Sequence, residues 1–384
     1  MKMKSILALS MAAVLTLASC SREDSNDSPV KGEEKTVVMT INRGEAGTRA
    51  EGANVGNGTS IAFSSGKLYF TETSGVITKV MDVVTSGSTT ATQINVMITG
   101  AQTITGVPSN TRKVYIVGNV SGLPASTGGN ISAVKDLLVT MSSQYDASGA
   151  VTNVALYGQD EAMNVSGTPY TATVNVKPIA ARIEIDKFTG SSVTTGALTA
   201  YKVDGIFINN YYNKIKFQGI KSGTASPADD LILNGTEANG QTPAIYLAGS
   251  TAYPTASNGT YYDFSAAGIG TAASLVYTPS SGATWSYNLL APTASAVPHI
   301  VIRFSGFGTG DLHEGKIRYI TVTGFQDAST STTITTFEAG KIYRIKNFTF
   351  NETDLDTEPE ISSVVAQVTV TLAQWDEIEV NPIH

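Results

Sequence analysis

Cysteine, histidine and charged residues are scarce in this sequence, and each scarcity excludes a class of protein. A single cysteine in 384 residues rules out a disulfide framework within the chain. Only 15% of the residues are charged and the net charge is −7, so the chain lacks the density of Lys and Arg that binding to nucleic-acid phosphates requires. Beyond the N-terminal apolar segment, no apolar run is long enough to span a membrane as a helix. We therefore expect no nucleic-acid partner and no membrane-spanning helix.

The signatures of catalytic and cofactor sites are also missing. The three histidines, His299, His313 and His384, have no metal-ligand spacing to one another or to the cysteine. The sequence has no Gly-x-Ser-x-Gly motif, no phosphate-binding loop and no dinucleotide-binding fingerprint. Paired carboxylates stay possible, because any two of the 32 Asp and Glu residues can meet in space. We predict no catalytic residues, no metal, no cofactor and no enzymatic activity.

Small and β-branched residues dominate what is present. Gly (36 residues), Ser, Thr, Ala and Val are abundant, which is typical of short strands joined by small-residue turns. One helix is predicted over 131–141, where apolar residues recur at the helical spacing and Ser132 is the expected N-cap. Pro178 lies between two strand-like runs and marks a break. Length and pattern favour an all-β protein of two β-sandwich domains, 50–177 and 178–384.

Residues 1–20 have the features of a lipoprotein signal peptide. Two lysines precede an apolar segment, 6–17, that is too short for a comfortable transmembrane helix. The sequence Leu-Ala-Ser-Cys at 17–20 resembles a lipobox, in which the cysteine thiol is alkylated with a lipid and the cysteine becomes the new N-terminus. We therefore predict a lipid on Cys20 that anchors the precursor to the outer membrane. The alternative is an ordinary signal peptide that happens to contain a cysteine.

A polar tether and then a strand follow the lipobox. Residues 21–35 are polar and charged and contain a proline, which is typical of a solvated linker. A strand is predicted over 36–41, because Val37, Met39 and Ile41 fall on one face at the period of two residues. This strand is expected to be paired in the precursor.

The stretch directly after that strand is a candidate site of proteolysis. Residues 42–52 contain three glycines among polar residues, which predicts an exposed loop of the kind that proteases cut. Arg49 is a plausible cleavage site for an arginine-specific protease, and Ala50 would then be the new N-terminus. The loop alone does not decide this, because almost any exposed arginine can be cut.

The C-terminal stretch repeats the alternating pattern. One face of a predicted strand carries five apolar residues, Val364, Ala366, Val368, Val370 and Leu372. Trp375 and a second short strand, 377–380, follow. Such a strand can either complete its own sheet or pair with an exposed edge on another molecule. Considered alone, the stretch favours the first of these.

The order of these features resembles one family. The matching stretches are the lipobox, the strand and arginine loop at 36–50, Lys-Val-Tyr-Ile-Val-Gly-Asn at 113–119, Ala-Ala-Arg at 180–182, Gly-Lys-Ile-Tyr-Arg-Ile at 340–345 and Leu-Ala-Gln-Trp at 372–375. In that order and spacing, the chain resembles the Bacteroidales fimbrillins, the type V pilins of the major and minor fimbriae. The C-terminal strand-Trp-strand is closest to the minor-fimbria stalk type, whereas the short region after 380 departs from the family pattern.

The resemblance implies a fold and a route of assembly. Two tandem transthyretin-like β-sandwiches are expected, with one short helix in the first. A trypsin-like protease would cut after Arg49, and strand 36–41 would leave with its lipid and open an apolar groove. The C-terminal donor strands, 361–382, of a neighbouring copy would fill that groove. The expected partners are other copies of the chain and accessory fimbrillins, first at the outer membrane and then in a cell-surface fimbrium.

Two alternatives compete with a stalk pilin. An accessory or tip fimbrillin would share the fold, and an anchor subunit would keep residues 20–49. A surface glycan-binding lipoprotein would never polymerise and should display aromatic side chains on one face. The two tryptophans, Trp285 in a predicted loop and Trp375 in the terminal strand pair, show no such platform.

Overall fold

The structure is a computed structural model that describes most of the chain. The described residues are 33–43, 63–98, 100–140, 143, 154–209, 211–212, 214–217, 231–232, 261–263, 275–278, 285–290, 297–357 and 366–374. Strands dominate these ranges, and they contain one short α-helix, so the predicted all-β class is confirmed. No helix in these ranges is both long enough and apolar enough to cross a membrane.

Most strands of the N-terminal half belong to one sheet. They are β1 (Glu34–Arg43), β2 (Gly66–Thr71), β3 (Ile77–Val84), β4 (Gln93–Asn95), β5 (Ala101–Pro108), β6 (Lys113–Gly118), β7 (Leu138–Thr140), β8 (Leu156–Asp160) and β9 (Tyr170–Pro178), with helix α1 (Ser132–Lys135) before β7. All except β7 form an eight-stranded sheet in the order β4-β3-β2-β6-β8-β9-β1-β5. Along β9, buried and exposed residues alternate, as the sequence pattern predicts for a strand with one face in the core.

The C-terminal half contains a larger sheet and a smaller one. Its strands are β10 (Ala181–Ile185), β11 (Phe188–Ser191), β12 (Lys202–Asn209), β13 (Tyr211–Tyr212), β14 (Lys214–Lys216), β15 (Leu231–Ile232), β16 (Tyr261–Asp263), β17 (Val276–Tyr277), β18 (Trp285–Leu289), β19 (His299–Ser305), β20 (Arg318–Asp327), β21 (Thr333–Ile334), β22 (Lys341–Ile345), β23 (Phe348–Asn351) and β24 (Ala366–Gln374). The nine-stranded sheet has the order β16-β12-β19-β20-β24-β22-β10-β18, with β21 paired to β20. A three-stranded sheet, β17-β11-β23, and the pair β13-β15 complete the half.

The two halves are packed together. One core cluster consists of residues of the N-terminal half together with Ile342 of β22, whereas the other joins Tyr69 and Tyr115 of the N-terminal half to Ile183 and Phe304 of the C-terminal half. Strand β7 leaves the N-terminal sheet and pairs with β14 of the C-terminal half. Because one core runs across the junction between β9 and β10, the predicted division into two domains near Pro178 stays a prediction.

The predicted helix is present but much shorter than expected. Helix α1 spans Ser132–Lys135, and its N-cap is Ile131 rather than Ser132. The predicted last turn is strand β7, which pairs with β14 and buries Val139. The helical spacing of the apolar residues therefore predicts the wrong structure for the second half of this stretch. Pairing with a strand distant in sequence outweighs the local helical preference of a stretch this short.

Trp285 was expected in a loop, and this expectation is wrong. It begins strand β18 and is 1% exposed. Its ring lies 5.2 Å from that of Phe188 in the C-terminal core. This tryptophan therefore cannot serve as a surface platform for a glycan.

Candidate assembly site

Strand β1 is an interior strand of the N-terminal sheet. It runs parallel to β9, with Val37 opposite Tyr170, and antiparallel to β5, with Val37 opposite Ile104. The stretch Val37 to Thr40 is paired on both sides. The site that β1 occupies between β9 and β5 is called the β1 slot below.

The side chains of β1 complete the N-terminal core. Val37 and Met39 are 0% exposed and Ile41 is 5% exposed, whereas Val38 and Thr40 on the opposite face are half-buried. Burying three side chains of this size contributes roughly 5–9 kcal/mol relative to leaving them in water. Removal of β1 would therefore expose a deep apolar groove with unpaired backbone groups along both walls.

Within the part of the chain that the structure describes, strand β5, one wall of the slot, has few other supports. It is the last strand of the sheet, and β1 is its strand neighbour there. The Lys79 ammonium on β3 donates hydrogen bonds to the carbonyl oxygens of Thr105 and Gly106 in β5, at 2.5 and 3.2 Å. Burial lowers the pKa of Lys79, while the nearby Glu34 carboxylate acts in the opposite direction. If β1 left, Lys79 would still hold this wall near the rest of the sheet.

The C-terminal strand β24 lies within the nine-stranded sheet of its own half. The backbone of β24 lies between β20, to which it runs parallel, and β22, to which it runs antiparallel. Ala366, Val368, Val370 and Leu372 are on this strand. Within one copy, the structure thus does not bring β24 to the β1 slot.

The two slots have the same polarity. Each inserts its strand between one parallel and one antiparallel neighbour, β9 and β5 for β1, and β20 and β22 for β24. A strand that left one slot could therefore enter the other with the same relation to both walls. A shared polarity of this kind is what exchange of one strand for another requires.

The pairing of β24 is less complete than that of β1. Ala366 to Val370 pair with β20, and Thr371 to Gln374 pair with β22, so each part of the strand pairs with one described neighbour. Each net backbone hydrogen bond contributes on the order of 1 kcal/mol. Two walls that overlap along their length, as in the β1 slot, hold a strand of this length more firmly than two staggered walls.

Strands β1 and β24 both start far from the junction between β9 and β10, β1 at the far end of the N-terminal half and β24 at the far end of the C-terminal half. Strand β9 runs towards the junction with β10, so β1, which is parallel to it, enters from the end farthest from the junction. In the C-terminal half, Gly340 N–H donates to the carbonyl oxygen of Ala180 at the junction. Strand β22 starts there and runs parallel to β10, and β23 continues with β11 away from the junction. The segment that leads to β24 therefore starts at the far end of the C-terminal half.

Several predicted site residues lie outside the described residues. They are Cys20, Arg49, Ala50, Val364 and Trp375, together with the flanking parts of the predicted donor segment 361–382. Their predicted roles stay predictions. Among the described residues, no three His, Cys, Asp or Glu side chains are grouped closely enough to hold a metal ion.

Sequence reasoning missed the residues that form the walls of the slot. Ile104 and Val107 of β5 and Tyr170 and Val174 of β9 pack around β1, and Lys79 ties β5 to β3. The alternation along β9 is visible in the sequence, but the choice of β1 as its neighbour is not. No signal in the sequence marks Lys79, because its partners are backbone carbonyls.

Comparison with known proteins bears on the fold. No family model and no curated protein matches the chain. Among solved structures, the chain is similar to a fimbrilin from Porphyromonas gingivalis W83, with a TM-score of 0.54 and 14% identity over 91% of this chain and 100% of that one. The chain has the fimbrillin fold. At this level of identity the likeness establishes the fold alone, and it confirms the predicted resemblance at that level.

Two further solved structures resemble the fimbrillin fold of this chain less closely. One is a candidate cell adhesion protein from Bacteroides eggerthii DSM 20697, with a TM-score of 0.48 and 16% identity over 91% of this chain and 98% of that one. The other is a candidate cell adhesion protein from Parabacteroides distasonis ATCC 8503, with a TM-score of 0.48 and 13% identity over 90% and 97%. Their TM-scores are too low for an inference about function.

Proposed function

We propose that this protein is a structural pilin, the stalk subunit of a surface fimbrium that supports adhesion. The precursor is exported as a lipoprotein with its lipid on Cys20 and is anchored to the outer membrane. An arginine-specific protease cuts after Arg49, and β1 leaves with the lipid. The C-terminal strand of a second copy then fills the β1 slot, and repetition builds a head-to-tail polymer that also accepts accessory fimbrillins.

The equal polarity of the two slots carries this proposal. A strand can replace β1 only if it runs parallel to β9 and antiparallel to β5. In its own sheet, β24 already has one parallel and one antiparallel neighbour, and these two described walls are staggered along the strand. The fimbrillin fold supports the same function, since the similar Porphyromonas gingivalis protein is a fimbrilin.

Removal of β1 provides the driving force for assembly. An empty slot leaves the partners of Val37, Met39 and Ile41 exposed to water, along with two unpaired strand edges. A strand from another copy buries this surface again. Because donor and acceptor are different surfaces of the same chain, the contact is heterologous, and it builds an open linear polymer when successive rotations do not close a ring.

Mild trypsin treatment of a chain that begins at Ser21 tests the proposal. We expect N-terminal sequencing to give Ala50, and electron microscopy to show linear polymers whose amount rises with protein concentration. Arg49→Ala should prevent both. Arg43→Ala is the matched control, because Arg43 lies within β1 with its backbone paired to Val176 and should be protected from the protease.

The outcomes separate the proposal from its alternatives. Cleavage at Arg49 that yields only monomers would remove the polymer mechanism, and glycan-array binding would then test the non-polymerising surface lipoprotein. Retention of residues 20–49 on the mature protein at the cell surface would instead identify an anchor or other accessory subunit.

A further inference from the structure

Three large apolar side chains are exposed on the loops at the far end of the C-terminal half. Val193, Leu312 and Ile317 keep 71%, 57% and 39% of their surface accessible. A single exposed apolar residue is ordinary, whereas three on loops that are bonded to one another make a candidate interaction surface.

Buried and partly buried hydrogen bonds hold these loops together. The Glu352 carboxylate accepts hydrogen bonds from the backbone N–H groups of Val193 and Thr194, at 2.8 and 2.6 Å. The backbone carbonyl oxygen of Glu352 accepts a hydrogen bond from Nε2 of His313 at 2.9 Å. The Leu312 N–H donates to the carbonyl oxygen of Ala197 at 3.1 Å. The end face formed by Val193, Leu312 and Ile317 is therefore a fixed surface rather than a set of independent loops.

The chain leaves for β24 from this same end face. The backbone of Asp356 makes two hydrogen bonds with Tyr319, both 2.9 Å, directly after the turn that contains Glu352. The nine residues between Asp356 and Ala366 allow the two to be no more than about 36 Å apart. Wherever β24 is bound, its acceptor must lie within that distance of the end face.

The mouth of the β1 slot is the matching surface on the acceptor. If β24 replaces β1 with the same polarity, its first residues lie where Glu34 to Val37 lie now, opposite Pro108 and Tyr170. In the precursor Tyr170 is 8% exposed and Val107, which is opposite Lys35, is 0% exposed. Departure of β1 would uncover this apolar rim at the end of the N-terminal half that faces the incoming subunit.

We infer that the end face of Val193, Leu312 and Ile317 is a contact surface for a second copy of this chain, and that it packs on the rim around Val107 and Tyr170 once β1 has left. The inference rests on the proposed strand exchange and adds a second contact to it. The precursor cannot make this contact, because β1 covers the rim. The end face therefore links subunit docking to maturation.

The double variant Val193→Ser/Leu312→Ser tests the contact in the chain that begins at Ser21, after trypsin treatment. We expect elongation, followed by light scattering, to slow at least about tenfold, because loss of central apolar contacts at an interface commonly has an effect of this size. Binding of a synthetic peptide of residues 361–382 to cleaved subunits should be unchanged, since the peptide brings no end face. Far-ultraviolet circular dichroism checks the fold of the variant.

Met97→Ser/Ile98→Ser is the matched control. These side chains are 45% and 44% exposed and lie between β4 and β5, at the junction end of the N-terminal half. The control should elongate within twofold of the unaltered chain. Elongation of the Val193/Leu312 variant at the unaltered rate would overturn the inference and leave strand exchange standing. Absence of polymers from the unaltered chain would overturn the proposed function and the inference with it.

Discussion

Substitution of Met39 should weaken the precursor and leave the mature polymer unaffected. Met39 is 0% exposed, and β1 pairs it with Ala172 on one side and Gln102 on the other. Replacement of a buried methionine by alanine costs about 2–5 kcal/mol, through lost burial and the cavity that remains. Met39→Ala should therefore lower the free energy of opening of the β1 slot by that amount.

Hydrogen exchange measures this effect at the walls of the slot. Amides in β5 and β9 should exchange roughly 30-fold to several thousand-fold faster in the variant precursor, since 1.4 kcal/mol corresponds to a factor of ten. Val38→Ala on the same strand is the control and should have a much smaller effect, because Val38 is half-buried on the other face.

The same variant should behave normally after cleavage. If β1 departs, polymers from Met39→Ala and unaltered precursor are identical in sequence and must have equal resistance to denaturant. A variant polymer that is less stable than the unaltered one would mean that β1 stays in place. Unchanged exchange in β5 and β9 of the precursor would refute the assignment of β1 as the support of both walls.

Two further predictions concern the C-terminal half. Burial by itself raises the pKa of Asp311, but hydrogen bonds from Thr199, Gly308 and Ala200 outweigh this effect and hold the pKa below its usual value. The ionised carboxylate therefore stabilises the fold above about pH 4, and this stabilisation is lost as the pH falls further. Asp311→Asn should cost about 2–3 kcal/mol in urea unfolding at pH 7, and a loss under 0.5 kcal/mol would contradict this account. Burial lowers the pKa of His299 from 6.5 to about 4, so stability is fully present above pH 6.5 and falls, by at most about 1.4 kcal/mol per pH unit, down to pH 4. His299→Gln should flatten that slope, and an unchanged slope would assign it to another group.

Local patterns predicted the strands well. The alternation of Val37, Met39 and Ile41 gave a strand with one buried face, and the structure has β1 there with those side chains in the core. The strand-like run before Pro178 likewise forms β9, which spans Tyr170–Pro178. Period-two patterns carry this information because a half-buried strand needs them along its whole length.

The sequence patterns do not predict which strands pair when they are distant in the chain. The stretch after Lys135 has helical spacing but pairs with β14, about eighty residues away. Arg182 and Glu184 on β10 are buried as an ion pair at 2.8 Å, and β10 is buried on both faces, which no pattern in the sequence analysis predicts. The polarity of the two slots depends on which strands become neighbours, and no local pattern encodes that choice.

The central claim is that β24 leaves its own sheet and enters the β1 slot of another copy. A disulfide that holds β24 against β22 tests this claim most directly. Lys341 and Gln374 are directly opposite on the antiparallel pair β22 and β24, where Cα atoms are about 4.5–5.5 Å apart, a distance that a disulfide spans. Lys341→Cys/Gln374→Cys in the chain that begins at Ser21 has only these two cysteines, since Cys20 is the single cysteine of the sequence. After trypsin treatment, the oxidised protein should stay monomeric, and addition of a reductant should start polymer growth. Polymerisation of the oxidised protein at the rate of the reduced protein would show that polymers form while β24 stays in its own sheet, and it would contradict strand exchange.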